Sequence, residues 1–198
     1  DQDKVRMREA MKIEPDAPLL GTVARLHFQK GIPDLLQAMD LVRREIPDAR
    51  LVIVGGGPEE NRVRRLIRDL GLDQAVILLG ERKDARELLS LFDVFVLSSL
   101  WEGLPYVLLE AAALAKPVIS TAALGVAEVI TDGENGLLVP VSKPEDLAGG
   151  AVKLLRDREL AIRLGINLHR DAASQYSLQR MVSETEELYL KVLGERHV

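Results

Sequence analysis

Arg25 and Lys30 lie five positions apart, after a short apolar run and directly before Gly31 and a helical pattern. Arginine offers a planar fork to phosphate oxygens, lysine offers a mobile point charge, and a helix N-terminus offers unpaired N–H groups. This combination predicts a diphosphate-binding site. The same spacing also fits two solvated surface charges, so the spacing by itself leaves both interpretations open.

Two carboxylates, Glu102 and Glu110, belong to one segment that joins an apolar run to a helical pattern. Pro105 suits the first turn of that helix, so Glu102 falls in the preceding loop and Glu110 about 7–8 Å along the helix axis from Pro105. A diphosphate on the backbone of residues 103–106 would then have a carboxylate on either side. One carboxylate could accept hydrogen bonds from sugar hydroxyls and the other from a ribose.

The alternative is that Glu102 stabilises the helix dipole and that Glu110 is a solvated helix residue. A carboxylate in so apolar a helix is expected to be partly buried and to need a partner, which favours the functional interpretation. The apolar neighbours of Glu110 are Val107, Leu108, Leu109, Ala111, Ala112, Ala113 and Leu114.

Two glycine turns follow other apolar runs. Gly55, Gly56 and Gly57 would allow either close approach of a ligand or a sharp turn, and without the full dinucleotide pattern the simple turn is favoured. The segment 125–128 combines a glycine with one acid, Glu128, and by itself resembles an ordinary helix cap.

Composition narrows the function classes. The 198 residues contain no cysteine and three histidines, which excludes disulfides and thiolate sites and disfavours a transition-metal site. A net charge of -5 argues against nucleic-acid binding. No apolar run approaches the roughly 20 residues that span a bilayer, so we expect no membrane segment in this chain and a cytoplasmic location.

Short apolar runs alternate with segments whose apolar residues recur every three or four positions. The runs predict strands at 19–24, 50–54, 75–79, 94–97, 117–120 and 136–139. The segments between and after them predict helices at 32–45, 59–70, 84–91, 105–114, 144–156, 159–174 and 177–192. This alternation predicts one α/β domain over residues 1–198, a Rossmann-like doubly wound sheet of six parallel strands with helices on both faces and C-terminal helices.

Together these segments resemble the carboxyl-terminal domain of glycosyltransferase family 4, whose members are retaining nucleotide-sugar enzymes with two facing Rossmann-like domains, the GT-B fold. The resemblance covers nearly the whole chain and rests on the order and spacing of five segments. They are Ala24-Arg25-Leu26 with Lys30-Gly31, the turn 55–58, Glu102-Gly103-Leu104-Pro105 with Glu110-Ala111, Pro117-Val118-Ile119-Ser120, and Gly133-Glu134-Asn135-Gly136-Leu137-Leu138-Val139.

The resemblance implies a role for each candidate residue. The catalytic residues would be Arg25 and Lys30, which neutralise the donor diphosphate, and Glu102, which holds the donor-sugar hydroxyls. The nucleobase would lie near residues 80–83, with Arg82 as a donor-binding residue, and Glu110 would bind the ribose. The remaining donor-binding residues would be Gly103, Leu104, Pro105, Tyr106, Gly55, Gly57 and Glu128. The resemblance implies neither metal nor cofactor, and it favours a UDP-sugar as donor, with a GDP-sugar as the alternative.

Departures from the family pattern bear on the sugar pocket. Ala115 and Leu124 stand where the family usually has glycine, and Tyr106 fills a position that is often asparagine. Family members also carry an amino-terminal domain that binds the acceptor. Since half a cleft cannot exclude water, we expect this chain alone to be inactive in glycosyl transfer.

The final helical stretch, 177–193, is a crossover helix in the resembling enzymes, returning to the amino-terminal domain. Its apolar residues Leu188, Tyr189, Val192 and Leu193 are then expected to form an exposed patch that favours self-association. Two other functions remain open, a non-catalytic binding or scaffold module and a part of a nucleotide-sugar 2-epimerase-like enzyme. The longer parent enzyme is expected in the cytoplasm or at the inner face of the membrane.

Overall fold

The computed structural model describes residues 2–195. Within them, strands and helices alternate as the sequence predicts. The strands are β1 (Leu19–Val23), β2 (Arg50–Val54), β3 (Val76–Gly80), β4 (Val94–Leu97), β5 (Val118–Thr121) and β6 (Leu137–Val139). The helices are α1 (Gln2–Ala10), α2 (Ile32–Glu45), α3 (Glu60–Asp69), α4 (Ala85–Leu91), α5 (Tyr106–Ala113), α6 (Leu124–Ala127), α7 (Pro144–Arg156), α8 (Arg158–Gln175) and α9 (Leu178–Glu195).

The six strands form one parallel sheet in the order β3-β2-β1-β4-β5-β6. The order reverses between β1 and β4, which pair through Leu20 with Val94 and Gly21 with Phe95. Ligands of such sheets bind beyond the carboxyl ends of the strands at this reversal point. The predicted doubly wound fold is confirmed.

Two apolar cores lie on opposite faces of the sheet. One core contains the buried sides of α2, α3 and α7, including Leu36 and Met39 of α2. The other is formed by α4 and α5 and includes Phe92, which precedes β4, and Phe95 of β4 itself. Helix α8 contributes Leu164 to the first core and Leu168 to the second, so it closes one side of both.

Predicted and observed bounds differ by one to three residues where a strand or helix begins or ends, the largest difference being the end of α9 at Glu195 instead of residue 192. Helix α1 lies outside the seven helical segments predicted above, and two short elements were not predicted: a turn of 3₁₀ helix at Phe28–Lys30 and helix α6. Both follow a strand at the carboxyl edge of the sheet, and each has too few residues for an apolar period to show. No helix among residues 2–195 is long and apolar enough to cross a bilayer.

Candidate functional site at the carboxyl ends of β1 and β4

The predicted catalytic residues meet at the reversal point of the sheet. Arg25 and Lys30 follow β1, and Glu102 follows β4, its neighbour in the sheet. Lys30 Nζ lies 2.5 Å from Glu102 Oε1, and their side chains are 20% and 7% exposed. Arg25 is exposed and forms no ion pair with any of residues 2–195. One cation is therefore paired inside the site, while the other is available to an anionic ligand.

Backbone and side-chain hydrogen bonds join the two loops that carry these charges. Ser98 Oγ donates to the Lys30 carbonyl over 2.8 Å, and Leu100 N donates to the Gln29 carbonyl over 2.7 Å. Gln29 Nε2 donates to the Trp101 carbonyl over 2.8 Å. Because these bonds connect residues about 70 positions apart, the two loops form one surface.

Two glycines allow the loops around this surface to approach one another. Gly31 has a φ of 59°, and a Cβ there would lie 2.0 Å from the Ser98 carbonyl oxygen. A Cβ on Gly125 would lie 1.3 Å from the Gly103 carbonyl oxygen. Residues with side chains at either position would therefore push apart the loops that hold Lys30 and Glu102.

The start of α5 presents open backbone to this surface. Gly103, Leu104 and Tyr106 are exposed, and no side chain caps the helix. Pro105 was predicted in the first helical turn, but it precedes the helix in an extended conformation, with φ -75° and ψ 106°. The Leu108 N–H donates to the Pro105 carbonyl over 2.9 Å, and the N–H groups of Tyr106 and Val107 are available to an acceptor such as a phosphate oxygen.

The predicted partial burial of Glu110 is wrong. Helix α5 buries Leu108, Ala111 and Ala112, and Glu110 lies on the opposite side, exposed. Its carboxylate has no ion-pair partner within the described residues and faces a shallow hollow of about 320 Å³ that Arg86 and Tyr106 also line. An apolar composition predicted burial, but a helix of two turns packs only one face, so one polar residue can stay in solvent.

Gly55 and Gly57 serve backbone packing. Their φ values are 135° and 155°, and Cβ atoms there would lie 2.0 Å from the Ala24 carbonyl oxygen and 2.4 Å from the Leu26 carbonyl oxygen. The turn after β2 is thereby held against the loop that carries Arg25. The sharp-turn interpretation explains both glycines without a ligand.

Arg82 and Glu128 have partners other than the charge pair. Arg82 follows β3, two strands away from β1, and its guanidinium forms a bidentate pair with Asp84 at 2.7 and 2.8 Å. The hydrogen bond from Arg82 lowers the pKa of Asp84. Glu128 ends α6 with an exposed side chain, and its carbonyl accepts a 3.1 Å hydrogen bond from the Tyr176 hydroxyl. The structure does not bring either side chain into contact with Lys30 or Glu102.

Three further residues of the site were not assigned roles from the sequence. Ser99 Oγ donates to Glu102 Oε1 over 2.6 Å. Phe28 and Trp101 are about half exposed, with ring centroids 6.0 Å apart, beside the Lys30–Glu102 pair. Small hydroxyls directly after a buried strand were the only signal for Ser99, since contacts between loops are not visible in local spacing.

Cavities and metal ligands do not point to another centre of chemistry. A hollow of about 630 Å³ near Lys116 is lined by residues outside the candidate site, and a hollow of about 750 Å³ between α5 and α9 includes Leu104 and Tyr106 of the site in its lining. Within residues 2–195, no group of three His, Asp or Glu residues could hold a metal ion. The charge pair lies on an open surface.

Several known proteins are similar to this chain in sequence. N-acetyl-alpha-D-glucosaminyl L-malate synthase from Bacillus anthracis is 31% identical over 97% of this chain and 50% of its own length. The putative glycosyltransferase EpsD from Bacillus subtilis is 34% identical over 94% of this chain and 49% of its own length. The chain thus spans about half the length of the curated relatives it matches.

Solved structures of glycosyltransferases are similar to this chain in fold. The Anabaena protein Alr3699/HepE in complex with UDP and glucose superposes with a TM-score of 0.88 at 23% identity, over 96% of this chain and 52% of that one. The C-terminal domain of a glycosyl transferase group 1 family protein, LpcC from Francisella tularensis, superposes with a TM-score of 0.78 at 25% identity, over 90% of this chain and 95% of that domain. The model of the family "Glycosyl transferases group 1" matches residues 3–170. The chain therefore belongs to the group 1 glycosyl transferases, as its resemblance predicted.

Proposed function

We propose that this chain binds a nucleotide-diphosphate sugar as the donor for retaining glycosyl transfer. The acceptor would be held by an amino-terminal domain outside this sequence. The observation that carries the proposal is the Lys30–Glu102 pair, with Arg25 exposed beside it at the reversal point of the sheet.

The cations account for the diphosphate. Arg25 is exposed, and Lys30 could exchange its carboxylate partner for a phosphate oxygen, since the side chain of Lys30 is still 20% exposed. Charge that develops on the leaving diphosphate would then lie between two cations and the open N–H groups at the start of α5. Because the leaving diphosphate gains negative charge during the reaction, these positive groups stabilise it more than they would stabilise an uncharged ligand.

The carboxylates account for the two ends of the donor. Glu102 lies before α5 and Glu110 lies within it, about 6 Å along the helix axis from Tyr106. A diphosphate across residues 103–106 would direct its sugar toward Glu102 and its ribose toward Glu110. The exposure of Glu110 supports this role, because a carboxylate in solvent can reach a ribose without a buried partner being displaced.

The nucleotide is proposed by comparison with relatives. HepE has been crystallised with UDP and with UDP-glucose, whereas a 31% identical relative from Mycolicibacterium smegmatis is a GDP-mannose-dependent mannosyltransferase. We therefore propose a UDP-sugar as the donor, with a GDP-sugar as the alternative. Gly55, Gly57, Arg82 and Glu128 stay predicted donor contacts, and for Arg82 this requires release of Asp84.

Calorimetric titration of the chain with UDP and with GDP tests the proposal. We expect one of the two nucleotides to bind, and the double variant Arg25→Ala with Lys30→Ala to lose at least about tenfold in affinity because the diphosphate loses both cations. The matched control is Arg65→Ala with Lys153→Ala, which removes two exposed charges on α3 and α7.

The control variant should bind the nucleotide as the unmodified chain does. Binding of neither nucleotide by the unmodified chain would contradict donor binding and favour the scaffold module. Equal losses in both double variants would show that net charge, and not this site, attracts the nucleotide.

A further inference from the structure

Ser99 shares an acceptor with Lys30. Its hydroxyl donates to Glu102 Oε1 over 2.6 Å, and Lys30 Nζ donates to the same oxygen over 2.5 Å. Ser99 is 1% exposed, so its hydroxyl makes this contact inside the protein and not in solvent. Two donors therefore fix one oxygen of the carboxylate.

The second oxygen of Glu102 is left for another donor. Oε2 has no hydrogen bond to any residue between 2 and 195, and none of the buried side-chain nitrogen or oxygen atoms in that range lacks a partner. Oε2 must therefore reach solvent, although the side chain as a whole is only 7% exposed. A carboxylate held through one oxygen presents the other in a fixed direction.

When the donor binds, its diphosphate would compete with Glu102 for the ammonium of Lys30. A lysine that neutralises a diphosphate turns its three N–H groups toward phosphate oxygens, which weakens its bond to Glu102. Glu102 would then be a nearly buried carboxylate without its cation, and such a group needs another hydrogen bond to keep its charge and its orientation. Ser99 is already in contact with it.

We propose that Ser99 is a positioning residue that holds Glu102 Oε1 when Lys30 turns to the diphosphate, so that Oε2 stays directed at the hydroxyls of the donor sugar. This inference rests on the proposed function. Ser99 itself touches neither sugar nor phosphate; it acts through Glu102.

The surroundings of Ser99 make it a rigid support. It comes two residues after the end of β4, and Thr121 Oγ1 at the end of β5 donates to its carbonyl over 2.5 Å. Thr121 is also buried. The neighbouring Ser98 binds the Lys30 carbonyl, so the serine pair holds the backbone of one charged residue and the side chain of the other.

Comparing the affinity of a Ser99→Ala variant for the nucleotide with its affinity for the nucleotide-sugar distinguishes a positioning role from a merely structural one. We expect Ser99→Ala to bind UDP within about twofold of the unmodified chain, and to bind UDP-glucose or UDP-N-acetylglucosamine about tenfold more weakly. If GDP is the bound nucleotide, GDP and GDP-mannose replace them. Calorimetry gives both dissociation constants, and thermal unfolding shows whether the variant is folded.

The matched control is Ser120→Ala. Ser120 is a buried serine at the same edge of the sheet, and its hydroxyl donates to the Thr121 carbonyl without touching Lys30 or Glu102. We expect its ratio of sugar-donor affinity to nucleotide affinity to match that of the unmodified chain. Against a Glu102→Ala background, Ser99→Ala should cause no further loss of sugar-donor affinity.

The outcomes are distinguishable. A chain that binds neither UDP nor GDP overturns the proposed function, and this inference with it. Nucleotide binding with equal losses of UDP and UDP-sugar in Ser99→Ala, or with no loss of either, overturns the positioning role alone. A loss that persists in full in the Glu102→Ala background would show that Ser99 acts by another route.

Discussion

Gly125 is the residue at which the site tolerates least change. A Cβ there would lie 1.3 Å from the Gly103 carbonyl oxygen, which is backbone and cannot rotate away. We expect Gly125→Ala to displace the loop that carries Glu102, to lower the free energy of unfolding by about 1–3 kcal/mol, and to abolish nucleotide binding. Urea unfolding and calorimetric titration measure the two effects.

Gly149→Ala is the control for that substitution. Gly149 is an exposed glycine within α7, and a Cβ there would meet nothing within 4 Å. We expect it to raise the free energy of unfolding by about 0.5–1 kcal/mol, because alanine is the better helix former, and to leave nucleotide binding unchanged. A stable Gly125→Ala variant with unaltered binding would show that the two loops can separate without harm.

At the scale of elements, α9 is the helix that exposes the most large apolar residues within the described chain. All its residues from Leu178 to Gly194 are exposed. Exposed apolar surface of this kind favours association. The apolar residues include Leu178, Met181, Val182, Leu188, Tyr189, Leu190, Val192 and Leu193, each at least 42% exposed.

We therefore expect the chain to self-associate through α9, with an average mass that rises over about a hundredfold range of concentration. Leu188→Glu should weaken that association by at least about tenfold, because it places a charge in the apolar surface. Gln179→Glu adds the same charge at an exposed polar position of α9 and should not change the association. Light scattering after size exclusion measures both, and a constant monomer mass in the unmodified chain would contradict the prediction.

At the scale of the whole molecule, the pH dependence of unfolding reports on Lys116. Its ammonium donates to the carbonyls of Ser90 and Phe92 at the amino-terminal edge of the sheet. Burial, and then the charges of Lys4 and Arg8, lower the pKa of Lys116 from 10.5 to about 8, against an opposing effect of Asp93. Folding therefore opposes the charged form of this side chain.

The sign of the effect follows from proton binding. Between pH 8 and 10.5, the unfolded chain keeps the proton of Lys116 and the folded chain has lost it, so a rise in pH favours the folded state. Relative to Lys116→Met, the unmodified chain should gain stability across this interval. Urea unfolding of both proteins at several pH values measures the difference. A flat difference for Lys116→Met would contradict the lowered pKa.

Sequence periodicity was sufficient to predict the six strands, the seven longer helices that follow them and their arrangement in a doubly wound sheet. Runs such as 94–97, which are continuously apolar, indicate strands buried on both faces, and such strands require helices on both sides of a parallel sheet. The placement of Arg25, Lys30 and Glu102 after strands then located them at one edge. Both the strands and the positions of these residues after them follow from local spacing, which can be read from the sequence.

Contacts between distant segments needed the tertiary structure. Glu110 is exposed because α5 packs its other face, and Ser99 binds Glu102 because the loop after β4 folds back beside Lys30. The Gly125 contact with Gly103 likewise joins two loops that follow different strands. By itself, the sequence determined which residues stand at the edge of the sheet. Only the fold decided which of them touch, because those contacts depend on how loops far apart in the chain pack against one another.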